Sequence, residues 1–175
     1  MLMKRGWYNF ILTGVAISYL CSCGNTSEFA NTSELEYFGL LDSIFNRMEK
    51  LSVTEPSENI HFHINNVKAT ADIHQDSTFT LITISWLKGN EAMKEYYLEK
   101  DHRLLFAKEK IKQEAISEND DNSWTGKYYF DDGVMMNFYT RGTGKSEKED
   151  WDPESIVNTY HNRKKAIEEV YKIPY

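Results

Sequence analysis

The chain has 175 residues, with 27 acidic side chains against 20 lysines and arginines, which gives a formal charge of −7. This balance argues against nucleic acid as a partner, because binding to nucleic acid requires basic side chains that neutralise phosphates. The length suits one domain around one core. The two cysteines, Cys21 and Cys23, both lie near the N-terminus, so we expect the folded domain to be held by packing rather than by a disulfide.

The N-terminal segment has the order of a secretory signal. The basic pair Lys4-Arg5 precedes an apolar run over residues 10–20. That run is about eleven residues, shorter than the roughly 20 that span a bilayer as a helix. The sequence Leu20-Cys21-Ser22-Cys23 resembles the lipobox of bacterial lipoproteins, with an aliphatic residue three positions before the cysteine and a small residue just before it. The resemblance implies cleavage before Cys23 and lipidation of that cysteine.

These features predict three segments: a signal peptide over 1–22, a lipidated tether over 23–33 and a single domain over 34–175. Loss of Lys4 and Arg5 with the signal makes the charge more negative by two, −9 instead of −7. We therefore expect the acyl chains alone to hold the protein on its membrane, without help from a basic surface. The predicted location is the cell envelope outside the cytoplasm, with the outer membrane favoured over the inner.

The hydrophobic periodicity predicts an α+β domain. A helix is expected from Ser33, where a hydroxyl cap precedes Glu36 in the capping-box spacing, to about Leu51. A second helix is expected to begin at Pro153 behind an Asp152 cap and to pack on the sheet. Between them an alternating pattern predicts an antiparallel meander of about six strands. Its strand stretches are 60–73 (broken at Asn65-Asn66), 78–86, 91–98, 104–111, 124–130 and 134–140.

An internal repeat supports paired hairpins. Tyr96-Tyr97-Leu98 can be laid over Tyr128-Tyr129-Phe130 at an offset of 32, and each is followed by an acidic turn and an apolar strand. In the second copy a three-residue loop, Asp131-Asp132-Gly133, would pair Phe130 with Val134 and gather the apolar residues on one face. These hairpins resemble those of small, mostly uncharacterised lipoproteins of Gram-negative bacteria, a resemblance that implies a meander and no particular activity.

Tyrosines on the other face of these hairpins form a candidate partner surface. Tyr97, Tyr129 and Tyr139 are predicted to share that face, which would be an open surface if both helices covered the first one. Tyrosine supplies contact area with a polar tip, which suits a binding surface. The alternative is that these tyrosines are ordinary strand residues.

Weak candidates for a metal site are His61, His63, Asp72 and His74. His61 and His63 are two residues apart, as are Asp72 and His74, a spacing that points both side chains to one face of a strand. If the two stretches form a hairpin across Asn65-Asn66, all four side chains could gather as metal ligands. The alternative places His61 and His63 on an exposed strand face. Neither a cofactor nor a catalytic residue is predicted.

Other motifs do not indicate catalysis or nucleotide binding. Gly142-Thr-Gly-Lys-Ser146 resembles the end of a P-loop, but the preceding glycine is missing and acidic residues follow. The sequence as a whole predicts a membrane-anchored, non-enzymatic binding module, one form of which is an inhibitor or immunity protein that binds a partner with a basic surface. The alternative prediction is a metal-dependent hydrolase that uses His61, His63, Asp72 and His74.

Overall fold

The computed structural model describes residues 26–54, 57–113 and 123–171, and the side chains from Ser33 onward apart from Gln113 and Tyr171. Seven strands form one antiparallel sheet in the order β1 to β7, so every strand pairs with its sequence neighbour. The elements are α1 (Thr26–Thr54), β1 (Glu58–Ile64), β2 (Val67–Gln75), β3 (Thr80–Lys88), β4 (Glu91–Lys100), β5 (Arg103–Gln113), β6 (Ser123–Asp131), β7 (Val134–Arg141), a short 3₁₀ turn (Lys145–Glu147) and α2 (Ser155–Tyr171).

The two helices lie on opposite faces of the sheet. On the α1 side, Phe38, Leu41, Phe45 and Met48 pack on Leu81, Tyr96, Leu98, Phe106 and Tyr129. On the α2 side, Ile156, Tyr160 and Ile167 belong to a larger cluster with Ile60, Phe62, Ile84, Tyr97, Tyr128 and Phe130. The central strands therefore place apolar side chains on both sides of the sheet, because a helix packs against each side.

The α+β class is confirmed, with three corrections to the element bounds. The strand count is seven rather than about six, because Asn65-Asn66 divides the first stretch into two full strands. The helix α1 begins at Thr26, so it passes through Ser33 and includes part of the expected tether. The helix α2 begins at Ser155, after a turn in which the Asp152 carboxylate accepts the Glu154 N–H at 2.9 Å.

The two long hairpins contain the same turn and the same bulge. Asp101-His102 and Asp132-Gly133 are two-residue turns with positive φ at both positions. This is the type I′ geometry that suits the twist of antiparallel strands. After each turn one residue bulges, Leu105 in β5 and Met136 in β7, so that the register shifts by one.

The predicted three-residue loop is therefore wrong, since Phe130 pairs with Met135 and not with Val134. The longer loop was predicted in order to place Phe138 on the same face as Tyr128 and Phe130. The bulge has this effect instead, because it pairs Tyr128 with Phe138. The predicted repeat offset is also wrong by one. Equivalent positions such as Tyr97 and Tyr128 stand 31 residues apart (97 to 128), and both lie on the α2 side.

Candidate functional surfaces

Charged residues of β4 and β5 are sorted by sign between the two sides of the sheet. The α2 side receives glutamates and the α1 side receives lysines, as the alternation Lys108-Glu109-Lys110 in β5 illustrates. In these two strands the α2-side glutamates are Glu91, Glu95, Glu99 and Glu109, and the α1-side lysines are Lys94, Lys100, Lys108, Lys110 and Lys112. Lys68 of β2 and Lys127 of β6 also face the α1 side, whereas Asp72 and Lys88 depart from the pattern. An acidic chain thus carries one basic sheet face.

Glu95 is buried at the centre of the α2 side. Its carboxylate accepts the Tyr97 hydroxyl at 3.0 Å and two guanidinium donors of Arg163 at 2.9 and 3.2 Å. A bidentate arginine is the strongest geometry that a carboxylate can have with a single side chain. Arg163 comes from α2, so this contact attaches the helix to β4.

Glu109 is the direct cross-strand partner of Glu95 and is equally buried. It accepts the Tyr128 hydroxyl at 2.7 Å and the ammonium of Lys145, from the 3₁₀ turn, at 2.7 Å. Gly126 makes this contact possible, because a Cβ there would lie 2.8 Å from the Tyr128 hydroxyl. The carboxylate pair (Glu95, Glu109) therefore fixes both α2 and the 3₁₀ turn to the sheet.

Glu99 repeats the arrangement near the turn end of β4. Its carboxylate accepts the Tyr160 hydroxyl at 2.7 Å and the Lys164 ammonium at 3.0 Å. Both partners belong to α2. Three buried glutamates of the α2 side are thus each held by one tyrosine and one cation, which satisfies the requirement that buried charges be paired and hydrogen-bonded.

The carboxylate pair is fully engaged in contacts with side chains of the fold. All four oxygens accept a hydrogen bond from Tyr97, Tyr128, Lys145 or Arg163. Burial, reinforced by the nearby carboxylates, raises the pKa of both Tyr97 and Tyr128, so the two phenols stay protonated as donors. Burial opposes the charge on Arg163, but its contacts with Glu95 outweigh this effect and raise the Arg163 pKa. The hydrogen bonds of both carboxylates are thus made to side chains of the fold, which fixes their position between β4, β5, α2 and the 3₁₀ turn.

The sequence predictions did not include these glutamates. The sequence pattern could have indicated them, because Glu95 and Glu109 occupy strand positions whose neighbours two residues away, such as Tyr97 and Ala107, are apolar. An acid at such a position indicates a buried and partnered carboxylate.

A groove of about 370 Å³ lies beside the carboxylate pair on the α2 side. Its apolar lining comes from Met93, Ile111 and Trp124, and its charged lining contains both lysines and glutamates. The 3₁₀ turn forms one wall, where the Trp124 indole N–H donates to the Ser146 hydroxyl at 3.0 Å. Lys145 and Ser146 of the P-loop-like segment are therefore engaged in contacts within the fold.

The α1 side contains a lysine cluster (Lys94, Lys108, Lys110, Lys127) around one aromatic ring. The ammonium groups of Lys94, Lys108 and Lys110 lie 5.0, 5.3 and 5.8 Å from the centre of the Tyr96 ring. Lys94 is directly opposite Lys110 across β4 and β5, and Lys108 is directly opposite Lys127 across β5 and β6. Like charges in direct cross-strand positions destabilise a sheet.

Neutralisation of the lysine cluster is incomplete. Lys127 pairs with Asp42 at 2.8 Å and Lys108 approaches Glu49 at 3.8 Å, both carboxylates belonging to α1. Burial lowers the pKa of Lys108 to about 8; Lys110 and Lys127 act in the same direction, and Glu49 opposes them. Lys94 and Lys110 form no ion pair with any carboxylate of the described residues.

The four residues of the predicted metal site lie on one side of the sheet but do not form a metal site. Strands β1 and β2 pair across Asn65-Asn66, and His61, His63, Asp72 and His74 all face the α1 side. The ladder separates them, since His61 stands opposite Thr70 and bonds its hydroxyl at 3.1 Å, while His63 stands opposite Lys68. His74 is buried. Across ranges 26–54, 57–113 and 123–171, no group of three or more His, Cys, Asp or Glu side chains could hold a metal ion.

The predicted tyrosine surface is wrong. Tyr97 faces the α2 side and Tyr129 the α1 side, because the strand register aligns Tyr97 with Tyr128 through Ala107. Both rings are buried, because a helix covers each face. Tyr139 alone is open to solvent, at 59% exposure on the edge strand β7. The three rings therefore share no common surface.

The predicted lipidation residue, Cys23, lies outside the described residues, three positions before the start of α1. Of the two helices that the structure describes, neither combines the length and apolar content needed to traverse a bilayer. Comparison with protein-family models, curated proteins and solved structures gives no match to this chain.

Proposed function

We propose that this protein is a lipid-anchored, non-enzymatic binding module of the cell envelope, outside the cytoplasm and on the outer membrane. The lipobox-like sequence ending at Cys23 supports the anchor, and α1 starting at Thr26 supports a short connection between lipid and domain. The proposal assigns the carboxylate pair a structural role, because all four of its oxygens accept hydrogen bonds from side chains of the fold.

The observation that carries the binding role is the separation of charge between the two sides of the sheet. Lysines collect on the α1 side, and the segment before α2 is acidic: Glu147, Glu149, Asp150, Asp152 and Glu154 are all exposed. An acidic surface favours association with a basic partner through complementary potentials. The partner proposed here is a protein with a basic surface, as an inhibitor or immunity protein would bind.

The anchor is tested by incorporation of labelled fatty acid in the native host. The wild-type protein and a Cys21→Ala variant are expected to incorporate the label, whereas Cys23→Ala is expected to lose it. Cys21 is the matched control, because it is a cysteine of the same segment that the lipobox pattern assigns to the discarded signal. Label retained by Cys23→Ala would refute the anchor at this residue.

The partner surface is tested by capture from envelope extracts with the lipidated protein. A Glu149→Lys/Asp150→Lys variant is expected to lose a basic protein that the wild type retains. Glu34→Lys/Glu36→Lys is the control, since both residues are exposed on α1, away from this segment. Equal capture by both variants would refute the acidic segment as the contact surface.

A further inference from the structure

We propose that the part of the α1-side sheet face that α1 leaves open is a docking surface for a membrane with anionic headgroups. This inference rests on the proposed function, because the lipid at Cys23 would hold the domain near such a membrane. The surface is defined by Lys68, Lys94, Lys110, Lys112, Arg141 and the exposed ring of Tyr139.

The two central cations of this surface, Lys94 and Lys110, share the Tyr96 ring. Lys94 and Lys110 face each other directly across β4 and β5, where Cβ atoms of opposed residues lie about 4.5–5.5 Å apart. Neither forms an ion pair with a described carboxylate. Two opposed ammonium groups on an acidic chain repel one another, and an external anionic surface would remove that repulsion.

The geometry favours an extended surface over a small anion. Lys94 and Lys110 lie over the same Tyr96 ring, but the five cations as a set come from β2, β4, β5 and β7 and extend over five strand spacings, about 24 Å. Two exposed side chains of the same face, Leu87 and Tyr139, add apolar area. A tyrosine ring with its hydroxyl in water is typical of the headgroup level of a membrane.

The net charge of the chain does not prevent this docking. We expected from the sequence that acyl chains alone would hold the protein, because the total charge is negative. Electrostatic potentials in salt solution decay over about 8–10 Å, so the face nearest the membrane decides the interaction. The acidic segment before α2 belongs to the other side, where it would point toward soluble partners.

The test is amine labelling of the lipidated full-length product in vesicles, read out residue by residue by mass spectrometry. In vesicles rich in phosphatidylglycerol, labelling of Lys94, Lys110 and Lys112 is expected to fall about tenfold relative to vesicles of phosphatidylcholine alone. Lys165, exposed on α2, is the internal control and should label equally in both. Salt at about 1 M should abolish the difference, because the screening length shrinks to about 3 Å.

A charge-reversed variant tests the assignment to these residues. Lys94→Glu/Lys110→Glu is expected to lose the protection of Lys112, whereas Lys50→Glu/Lys165→Glu is expected to keep it. Equal labelling in the two vesicle types, with the protein still floating with both, would overturn the docking surface and leave the lipid anchor intact. Failure to float with neutral vesicles would instead count against the anchor. Equal protection by soluble polyglutamate without vesicles would overturn the membrane as the partner.

Discussion

Glu95 and Glu109 face each other as direct partners on β4 and β5. Glu95 is bound by Tyr97 of its own strand and by Arg163 of α2, and Glu109 is bound by Tyr128 of β6 and by Lys145 of the 3₁₀ turn. Two buried carboxylates so close together would repel strongly if left alone. The tyrosine hydroxyls and the charges of Arg163 and Lys145 offset that repulsion. The result is a buried polar centre that attaches α2 and the 3₁₀ turn to the sheet.

Removal of the Tyr128 hydroxyl is expected to destabilise the fold. In Tyr128→Phe the buried Glu109 loses its 2.7 Å donor, so the free energy of unfolding should fall by about 1–3 kcal/mol. Tyr139→Phe is the matched control and should change it by less than about 0.5 kcal/mol, because Tyr139 is exposed. Urea unfolding at neutral pH measures both. Equal effects would show that the Glu109 contact does not stabilise the domain.

Gly126 is expected to tolerate no side chain. A Cβ at this position would lie 2.8 Å from both the Trp124 ring and the Tyr128 hydroxyl. Gly126→Ala should therefore lower the free energy of unfolding by about 1–3 kcal/mol through overpacking. Thermal unfolding by circular dichroism provides the measurement, and an unchanged melting temperature would contradict the packing described for β6.

Substitution of Gly133, in the turn between β6 and β7, should show the cost of a positive φ separately from any steric clash. Gly133 has φ +80° with open space around it, so Gly133→Ala is expected to cost roughly 1 kcal/mol from backbone strain alone. Gly39 also has open space but lies within α1, so Gly39→Ala should stabilise by about 0.5–1 kcal/mol. Opposite signs in chemical denaturation confirm the two-residue turn, and a stabilising Gly133→Ala would contradict it.

Lys108 should make stability depend on pH in the alkaline range. Its pKa is about 8 in the folded protein against 10.5 in its usual state, so between these values the unfolded chain binds a proton that the folded chain does not. Raising the pH from 8 to 10 should therefore stabilise the fold, by at most about 1.4 kcal/mol per pH unit. Above pH 10 the buried tyrosines act in the opposite direction, because their raised pKa leaves the unfolded chain with fewer protons.

The Lys108 prediction is checked by comparing wild type with Lys108→Met in urea unfolding at pH 8, 9 and 10. The difference in free energy of unfolding between the two proteins should change across this range, and Lys112→Met should behave as the wild type does. Parallel profiles for wild type and Lys108→Met would show that Lys108 is not a source of the pH dependence.

The sequence predicted the local features of the fold better than its long-range geometry. The turn at Asn65-Asn66 and the helix start near Asp152 follow from local turn and cap chemistry, and both are present. The bulges at Leu105 and Met136 were not predictable, because hydrophobic alternation alone fits a longer loop equally well. The strand register places Tyr97 and Tyr129 on opposite sides, because Tyr128 and not Tyr129 is the counterpart of Tyr97. Their burial depends on a helix packing against each face, which no local pattern determines.

The candidate surfaces were predicted less well than the fold. His61 and His63 attracted a metal hypothesis through their spacing, but ligand geometry depends on side chains from separate strands. The sorting of lysines and glutamates could have been found from alternation in β5, since Lys108, Glu109 and Lys110 must point to alternate sides. Their partners in α2 and the 3₁₀ turn depend on tertiary packing.

The most direct test of the account is the intact mass of the protein purified from membranes of its native host. We predict a chain of 153 residues that begins at Cys23 and carries the added mass of acyl chains. A chain of 175 residues with both cysteines unmodified, recovered from the soluble fraction, would contradict the lipid-anchored module on which the proposed function and the membrane docking surface depend.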